Sequence, residues 1–512
     1  MSGTGGFRFR YTVIALCAML AGSRMSPAEE PDRLDPSNLR PLIQTAIDPA
    51  IESQLTAAKL QPADQPATNQ PASGGLDPGL VAAGQSAFSR SCTTCHDADR
   101  SLQKSKSYSG WLSTVRRMAG KTGAEVSSAD VIPIATYLAS VAGASSDATS
   151  AASGGGGGGD DGSGWSFGTT ISTLHRSASD AFPLENPGFF ADVWVTANYQ
   201  SSGPWRANVT ACTSCHSRDN GAAGNAYSIE LVEGSATLDL RQMFHGCRCD
   251  DGRELLLKAG RFIVPFGAIS AMANPSTYRT VTQPLMFNMG RRVLMPGMPP
   301  NQPVLPAPFS DEGIDLTYRT PLFGDLVFTL DTYAINGLQG NATTIFNKSR
   351  AYFDNNEDPT GGARMTLSGE FFRLGTSVMS GNLADQGQPH LYYTLAGADA
   401  TAQITDRLRF YFEYAMRHQD SAFIAGTKEL TFGTVTQLEL RLWNQPYISA
   451  LVRYDTLDFR NQALGSGAIH RITSGFNIGL PGDSLLMINH ERWEEKGAPN
   501  VDVFGIRWVV SL

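Results

Sequence analysis

Two short stretches carry the chain's most specific chemistry. Cys92-Thr93-Thr94-Cys95-His96 recurs as Cys212-Thr213-Ser214-Cys215-His216. Two thiols at this spacing can bond the two vinyl groups of one porphyrin, and the adjacent His then lies under the iron as proximal ligand. A Cys-x-x-Cys pair also serves zinc knuckles and redox disulfides, but the following His and the repetition favour haem. The expectation is two covalently attached haem c groups, with His96 and His216 on the iron.

The remaining cysteines are Cys17, Cys247 and Cys249. Cys17 sits within the apolar run of residues 1–28. That segment reads as a secretory signal, with Arg8 and Arg10 before the run and small residues after it. Cys247 and Cys249 leave alternatives open. Together with Cys212 and Cys215 they could ligate zinc or an iron–sulfur cluster, or they could form a tight disulfide with each other. Met243 and His245 lie close by in sequence as candidate distal ligands for the second haem, beside His175, His390, His418 and His470. Asp354, Glu357 and Asp358 form an acidic group that reads as a solvated loop, with a hard cation as the alternative.

These groups need elements to position them, and 512 residues are too many for one compact core. The formal net charge is −8, and about −11 without the signal, which carries three arginines and no acid. That argues against nucleic acid as a partner. Residues 29–75 form a Pro- and Ala-rich spacer, and 145–165 a Gly/Ser-rich linker with consecutive glycines at 154–159. No later stretch reads as a transmembrane helix, so membrane insertion requires a closed β-barrel.

Residues 76–144 resemble a small all-α class I cytochrome c. Gly84 and Phe88 precede the first haem motif at the spacing of that family's N-terminal helix. Ser127-Ser128-Ala129-Asp130 reads as a helix start. Val131, Ile134, Ala135 and Leu138 follow at helical spacing, as in the family's C-terminal helix. Trp111–Met118 matches the segment that brings the distal ligand. The resemblance therefore implies Met118 as the second axial ligand of the first haem, and His/Met ligation leaves no open position on the iron.

Residues 166–512 alternate apolar and polar. Leu408, Phe410, Phe412, Tyr414 and Met416 share one face, and Arg407, Arg409, Tyr411, Glu413 and Arg417 the other. Repeated over many segments, this is the pattern of an antiparallel transmembrane barrel with lipid outside and water inside. The pattern gives about 14 strands, within a range of roughly 12–16. Gly260–Gly267, Leu395–Ala400 and the terminal Phe504–Leu512 resemble strands of outer-membrane porins. Short and long connections alternate, placing the second haem motif in an external loop at 201–226. An extra strand at 165–175 would disturb that parity.

The order of parts resembles the fused cytochrome–porins of iron-oxidising bacteria. That resemblance implies an outer-membrane electron-transfer protein with its cytochrome unit in the periplasm. It would join periplasmic electron-transfer cytochromes to an external donor or acceptor, with outer-membrane lipid around the barrel. The second haem motif departs from the family. The readings left beside it are a solute-transport porin with an appended periplasmic cytochrome c, and a periplasmic two-haem peroxidase-like enzyme. The residues suit an electron carrier better than a catalyst, and no catalytic residue is assigned.

Intact mass and a pyridine haemochrome assay on the exported chain are expected to count two haems. One haem together with bound zinc would instead assign the Cys212–Cys249 group to metal.

Overall fold

The computed structural model describes residues 78–92, 99–102, 108–119, 126–127, 130–141 and most of 164–512. The chain divides into two units, 1–73 and 74–512, and every described residue belongs to the second. The expected signal (1–28), the spacer (29–75) and the linker up to residue 163 lie outside the described residues. So do Cys95, His96, Cys215, His216, Cys247, Cys249 and Asp354.

Four helices come first: α1 Pro78–Ser91, α2 Asp99–Leu102, α3 Tyr108–Ala119 and α4 Val131–Val141. Pro78 opens α1, where its missing N–H costs nothing. Ahead of α4, the Ser127 hydroxyl accepts from the Asp130 N–H at 3.1 Å, and the Asp130 carbonyl takes the first helical bond from Ile134. Phe88, Trp111, Val115, Ile134 and Leu138 form the buried core of the helical unit. α1 crosses α4 closely at Gly84, where a Cβ would stand 1.9 Å from the Pro133 carbonyl oxygen. No described helix is long and apolar enough to cross a membrane.

The rest is one closed antiparallel barrel of 16 strands. The first eight are β1 Gly164–Ala178, β2 Gly188–Gln200, β3 Trp205–Thr213, β4 Ile229–Asp239, β5 Glu254–Ile263, β6 Ser310–Pro321, β7 Val327–Ile335 and β8 Thr360–Ser368. The second eight are β9 Phe372–Asn382, β10 Tyr392–Gln403, β11 Leu408–Asp420, β12 Lys428–Trp443, β13 Ile448–Asn461, β14 Gly465–Leu480, β15 Ser484–Glu495 and β16 Val501–Ser511. β1 pairs β16, Thr170 opposite Ser511 and Ala178 opposite Val503, so no edge is left open.

Side chains alternate across the wall, as the strand period of two demands. On β16, Val501, Val503, Arg507 and Val509 are buried inside while Phe504 and Trp508 are exposed outside. The outer face is an apolar band that includes Val195, Ile314, Val452, Ile472 and Phe476. Aromatic rings mark its rim near the β2–β3 turn, where Tyr199 stacks within 5.1 Å of Trp165 and 4.9 Å of Trp205.

Most connections at one end are short: 201–204, 322–326, 369–371, 404–407, 444–447 and 481–483. The opposite end carries longer ones, including 264–309 and 336–359. We call these the turn end and the loop end. β1 starts and β16 finishes at the turn end, and the helical unit meets the same end. There the Ser86 hydroxyl donates to Asp325 at 2.8 Å, and Arg319 lies 3.9 Å from Asp130.

The count corrects the expectation of about 14 strands. β1 occupies residues assigned to the linker and its sequel, so His175 is in the wall rather than before it. β3 runs through the supposed 201–226 loop, so Cys212 is a strand residue. Two omitted strands leave parity unchanged, and residues 214–228 still join strands at the loop end. The omissions have a physical reason. β1 is rich in Ser, Thr and Gly, and β3 alternates Arg206, Asn208 and Thr210 with only Ala and Val between, so neither shows the strong apolar face of β11.

The outward band predicts a depth-dependent penalty for charge. Phe476→Arg should cost about 2–4 kcal/mol, measured by urea unfolding in lipid vesicles. Gln388→Arg, in the exposed connection between β9 and β10, should be near neutral.

Candidate functional site: the barrel lumen and its two ends

The long connection 264–309 does not stand clear of the barrel. Its described residues fold into the lumen, and Gly267 makes the turn. Gly267 has φ +66°, and a Cβ there would stand 2.1 Å from a Glu413 carboxylate oxygen. The close approach lets Glu413 accept from the Ala268 and Ile269 N–H groups at 3.1 and 3.0 Å.

Further along, inward side chains of β13, β14 and β15 take over. Arg453 donates to the Thr280 hydroxyl at 2.5 Å and the Thr282 carbonyl at 2.8 Å. Arg471 donates to the Gln283 carbonyl at 2.6 Å and pairs with Asp455 at 2.6 Å and Glu491 at 3.3 Å. Asp455 also accepts from the Leu285 N–H at 2.7 Å, and Asn489 from Val281 N–H at 2.6 Å. Thr282 donates its hydroxyl to Glu491. Arg471 is fully buried and lies 4.7 Å over the Trp493 ring. Buried charges are tolerated only when paired and hydrogen-bonded, and here the loop backbone supplies many of the partners.

Above this clamp the loop is apolar. Leu285, Met286, Phe287, Val304, Leu305 and Phe309 are buried against wall residues such as Leu395, Leu457 and Val503. Gly433 makes room on the wall, since a Cβ there would stand 2.7 Å from Met286 Cβ. The lumen thus holds a packed hydrophobic core across its loop-end half. Burial pushes the Tyr278 hydroxyl far above its ordinary range, so it remains neutral beside Gln283.

The turn-end half is polar. A cavity of about 190 Å³ is lined by Arg206, Lys258, Arg319, Arg364 and Arg373 against Glu254, Asp315 and Asp331. Arg364 forms a two-pronged pair with Asp399 at 2.7 and 3.0 Å. Ala119 and Val126 of the helical unit line the same cavity.

In the helical unit, Cys92 is half-buried at the rim of the core, at the end of α1, and Met118 is half-buried on α3. A thiol and a thioether are the donor types that haem c attachment and axial ligation use; Cys95 and His96 lie outside the described residues. Cys212 faces the lumen near the loop end of β3, 1% exposed, packed with Trp194, Val232 and Ile263. Its sulfur is in a disulfide.

The distal-ligand candidates are dispersed. Met243 and His245 belong to the helix α5 Leu240–His245 at the turn end. His175 packs on the ring of exposed Phe189 at 4.7 Å, and His470 stacks on Tyr454, both on the outer face. His418 also points outward. His390 pairs with Asp358 at 3.1 Å in a loop-end connection. Among the described residues no three His, Cys, Asp or Glu side chains are grouped for a metal ion.

The inward loop and its clamp escape a reading by period. A signal for them is present in hindsight. Arg417, Arg453, Arg471, Glu413, Asp455 and Glu491 put charges of both signs on inward positions of adjacent strands.

No protein-family model and no curated protein matches the chain. Among solved structures, it is similar to an anion-selective porin from Comamonas acidovorans, at 11% identity over 68% of this chain and 100% of that one, TM-score 0.46. It is also similar to the outer membrane channel DcaP of Acinetobacter baumannii, at 9% identity over 70% and 99%, TM-score 0.45. A third likeness is to Salmonella typhi OmpF in complex with daunomycin, at 12% identity over 68% and 98%, TM-score 0.43.

Removing one partner of the clamp should release the loop. Asp455→Ala is expected to cost about 3–5 kcal/mol and to raise hydrogen exchange selectively at residues 280–287. Unchanged protection there would mean that apolar packing alone holds the loop.

Proposed function

We propose that the chain is an outer-membrane barrel that carries electrons between the cell exterior and the periplasm, with a c-type cytochrome unit at its periplasmic mouth. Three features support the setting. A closed strand ladder behind an apolar outer band suits lipid. Short turns mark the periplasmic end of such barrels. The helical unit that carries the first haem motif meets that same end.

The observation that carries the reading is the filled lumen. A packed apolar core between two wet ends is a poor path for solutes but no bar to a conduit whose redox groups sit at either side. Haem, when bound, supplies the one-electron step. Cys92 and Cys95 would attach the first group, and His96 and Met118 would fill both axial positions, leaving no site for substrate. Cys212, Cys215 and His216 would hold the second at the loop end. On this reading the Cys212 disulfide belongs to the haem-free chain, and a dithiol reductant opens it, giving two electrons and two protons and leaving as its own disulfide, before the thiols are attached. Partners are then a periplasmic electron-transfer cytochrome and an external donor or acceptor.

A shared four-cysteine metal site fits poorly. Cys212 stands opposite Glu230, whereas Cys247 and Cys249 follow the far end of β4, nine residues and about 30 Å along the strand. The peroxidase-like reading fits poorly too, since a soluble domain rarely exposes so broad an apolar band.

A second reading, a solute porin with an appended periplasmic cytochrome, is favoured by the charged turn-end cavity and the barrel design. One preparation separates the two. In vesicles with a trapped acceptor, an impermeant external donor should reduce it through the intact protein, and His216→Ala should slow this strongly. Swelling in small sugars should stay at the level of empty vesicles. Fast swelling with equal electron rates in both proteins would establish the porin reading instead.

A further inference from the structure

A second cavity, of about 70 Å³, lies directly beneath the inward loop on its turn-end side. That is room for roughly five waters, or for an organic molecule of about five heavy atoms. Three guanidinium side chains line it, from Arg279 of the loop, Arg409 of β11 and Arg453 of β13. No carboxylate is among the lining residues. The balancing acids stand behind the arginines, Glu439 at 3.6 Å from Arg279 and Asp455 at 3.7 Å from Arg453. Much of the remaining wall is apolar, including Met272 and Val435.

Gln283 also lines the cavity, 4% exposed. Its amide nitrogen donates to the Tyr278 hydroxyl, while its Oε1 is buried without a hydrogen-bond partner. A buried carbonyl oxygen of this kind calls for a donor. The wall therefore asks for a small molecule with an anionic end for the arginines and a hydroxyl for Gln283. An ammonium group in place of the hydroxyl would meet three guanidinium charges.

We propose that this cavity binds a two- or three-carbon 2-hydroxycarboxylate such as glycolate or lactate. The carboxylate faces Arg279 and Arg409, while Arg453 stays engaged with Thr280, Thr282 and Thr473; the hydroxyl donates to Gln283 Oε1, and the carbon chain lies on the apolar wall. The site involves neither haem motif, so it stands or falls apart from the electron-transfer reading.

The test uses the full chain in detergent micelles, with carboxyl-labelled glycolate followed by carbon NMR titration. Glycolate should bind saturably and more tightly than acetate. Arg409→Gln should weaken it about tenfold or more, Gln283→Leu should erase the preference over acetate, and Arg460→Gln on the outer face should change nothing. Heat-modifiable gel mobility reports whether each variant keeps its barrel. If Arg409→Gln does not, the neutral isostere glycolamide decides on the unaltered protein. Absence of saturation, equal binding of glycolamide, or full affinity in a folded Arg409→Gln barrel would overturn the proposal.

Discussion

The structure depends on the closure of β1 against β16. A strand edge facing lipid leaves backbone N–H and C=O groups without partners, and this seam removes the last two edges. Thr169 and Leu512 exchange both of their backbone bonds at the turn end of the seam, at 3.1 and 2.8 Å. Closure also fixes which side chains face inward on every strand. Only then can residues distant in sequence, such as Glu413, Asp455 and Glu491, converge on one loop.

Inside that wall, two kinds of interaction divide the labour. Arginines and carboxylates hold the loop by its backbone, while Leu285, Met286 and Phe287 fill the space beyond. Neither alone would suffice. Apolar filling sets no register, and a buried ion network without its full set of partners destabilises. The wall accommodates both by alternating large charged residues with glycine, as where Gly433 gives way to Met286. The lumen is thereby graded from a charged cavity at the turn end to a dry core towards the loop end.

Much of the barrel was legible in the sequence, because strands such as β11 and β16 alternate strongly. β3 was not, because Arg206, Asn208 and Thr210 alternate with small residues, and β1 entered only as an extra strand at 165–175, its exposed Trp165, Phe167 and Ile171 backed by an inward face that includes Thr170 and Ser172. Reading a loop around Cys212 followed from the cysteine motif itself, although its first residues pair with β2 and β4. The two omissions cancelled, and β3 ends and β4 begins at the loop end of the barrel. The inward loop was invisible to period, since a loop's destination is set by tertiary partners on β9, β11, β13, β14 and β15. Of the six cysteine and histidine residues in the two Cys-x-x-Cys-His motifs, Cys92 and Cys212 are among the described residues. Met118, inferred from a family likeness, is half-buried on α3.

The seam between β1 and β16 has a consequence for how the molecule is made. Its partners lie at opposite ends of the barrel sequence, so the ring cannot shut until the last strand is in place. Pairings of such long range are slow to form and leave edges open to aggregation meanwhile. The inward loop's anchors at Asp455, Arg471 and Glu491 are also late in the chain. The packed core of the lumen must therefore assemble near the end of folding, and until then its apolar residues stay open to aggregation. The helices between 78 and 141 pack the first, Pro78–Ser91, on the last, Val131–Val141, a span far shorter than that between β1 and β16.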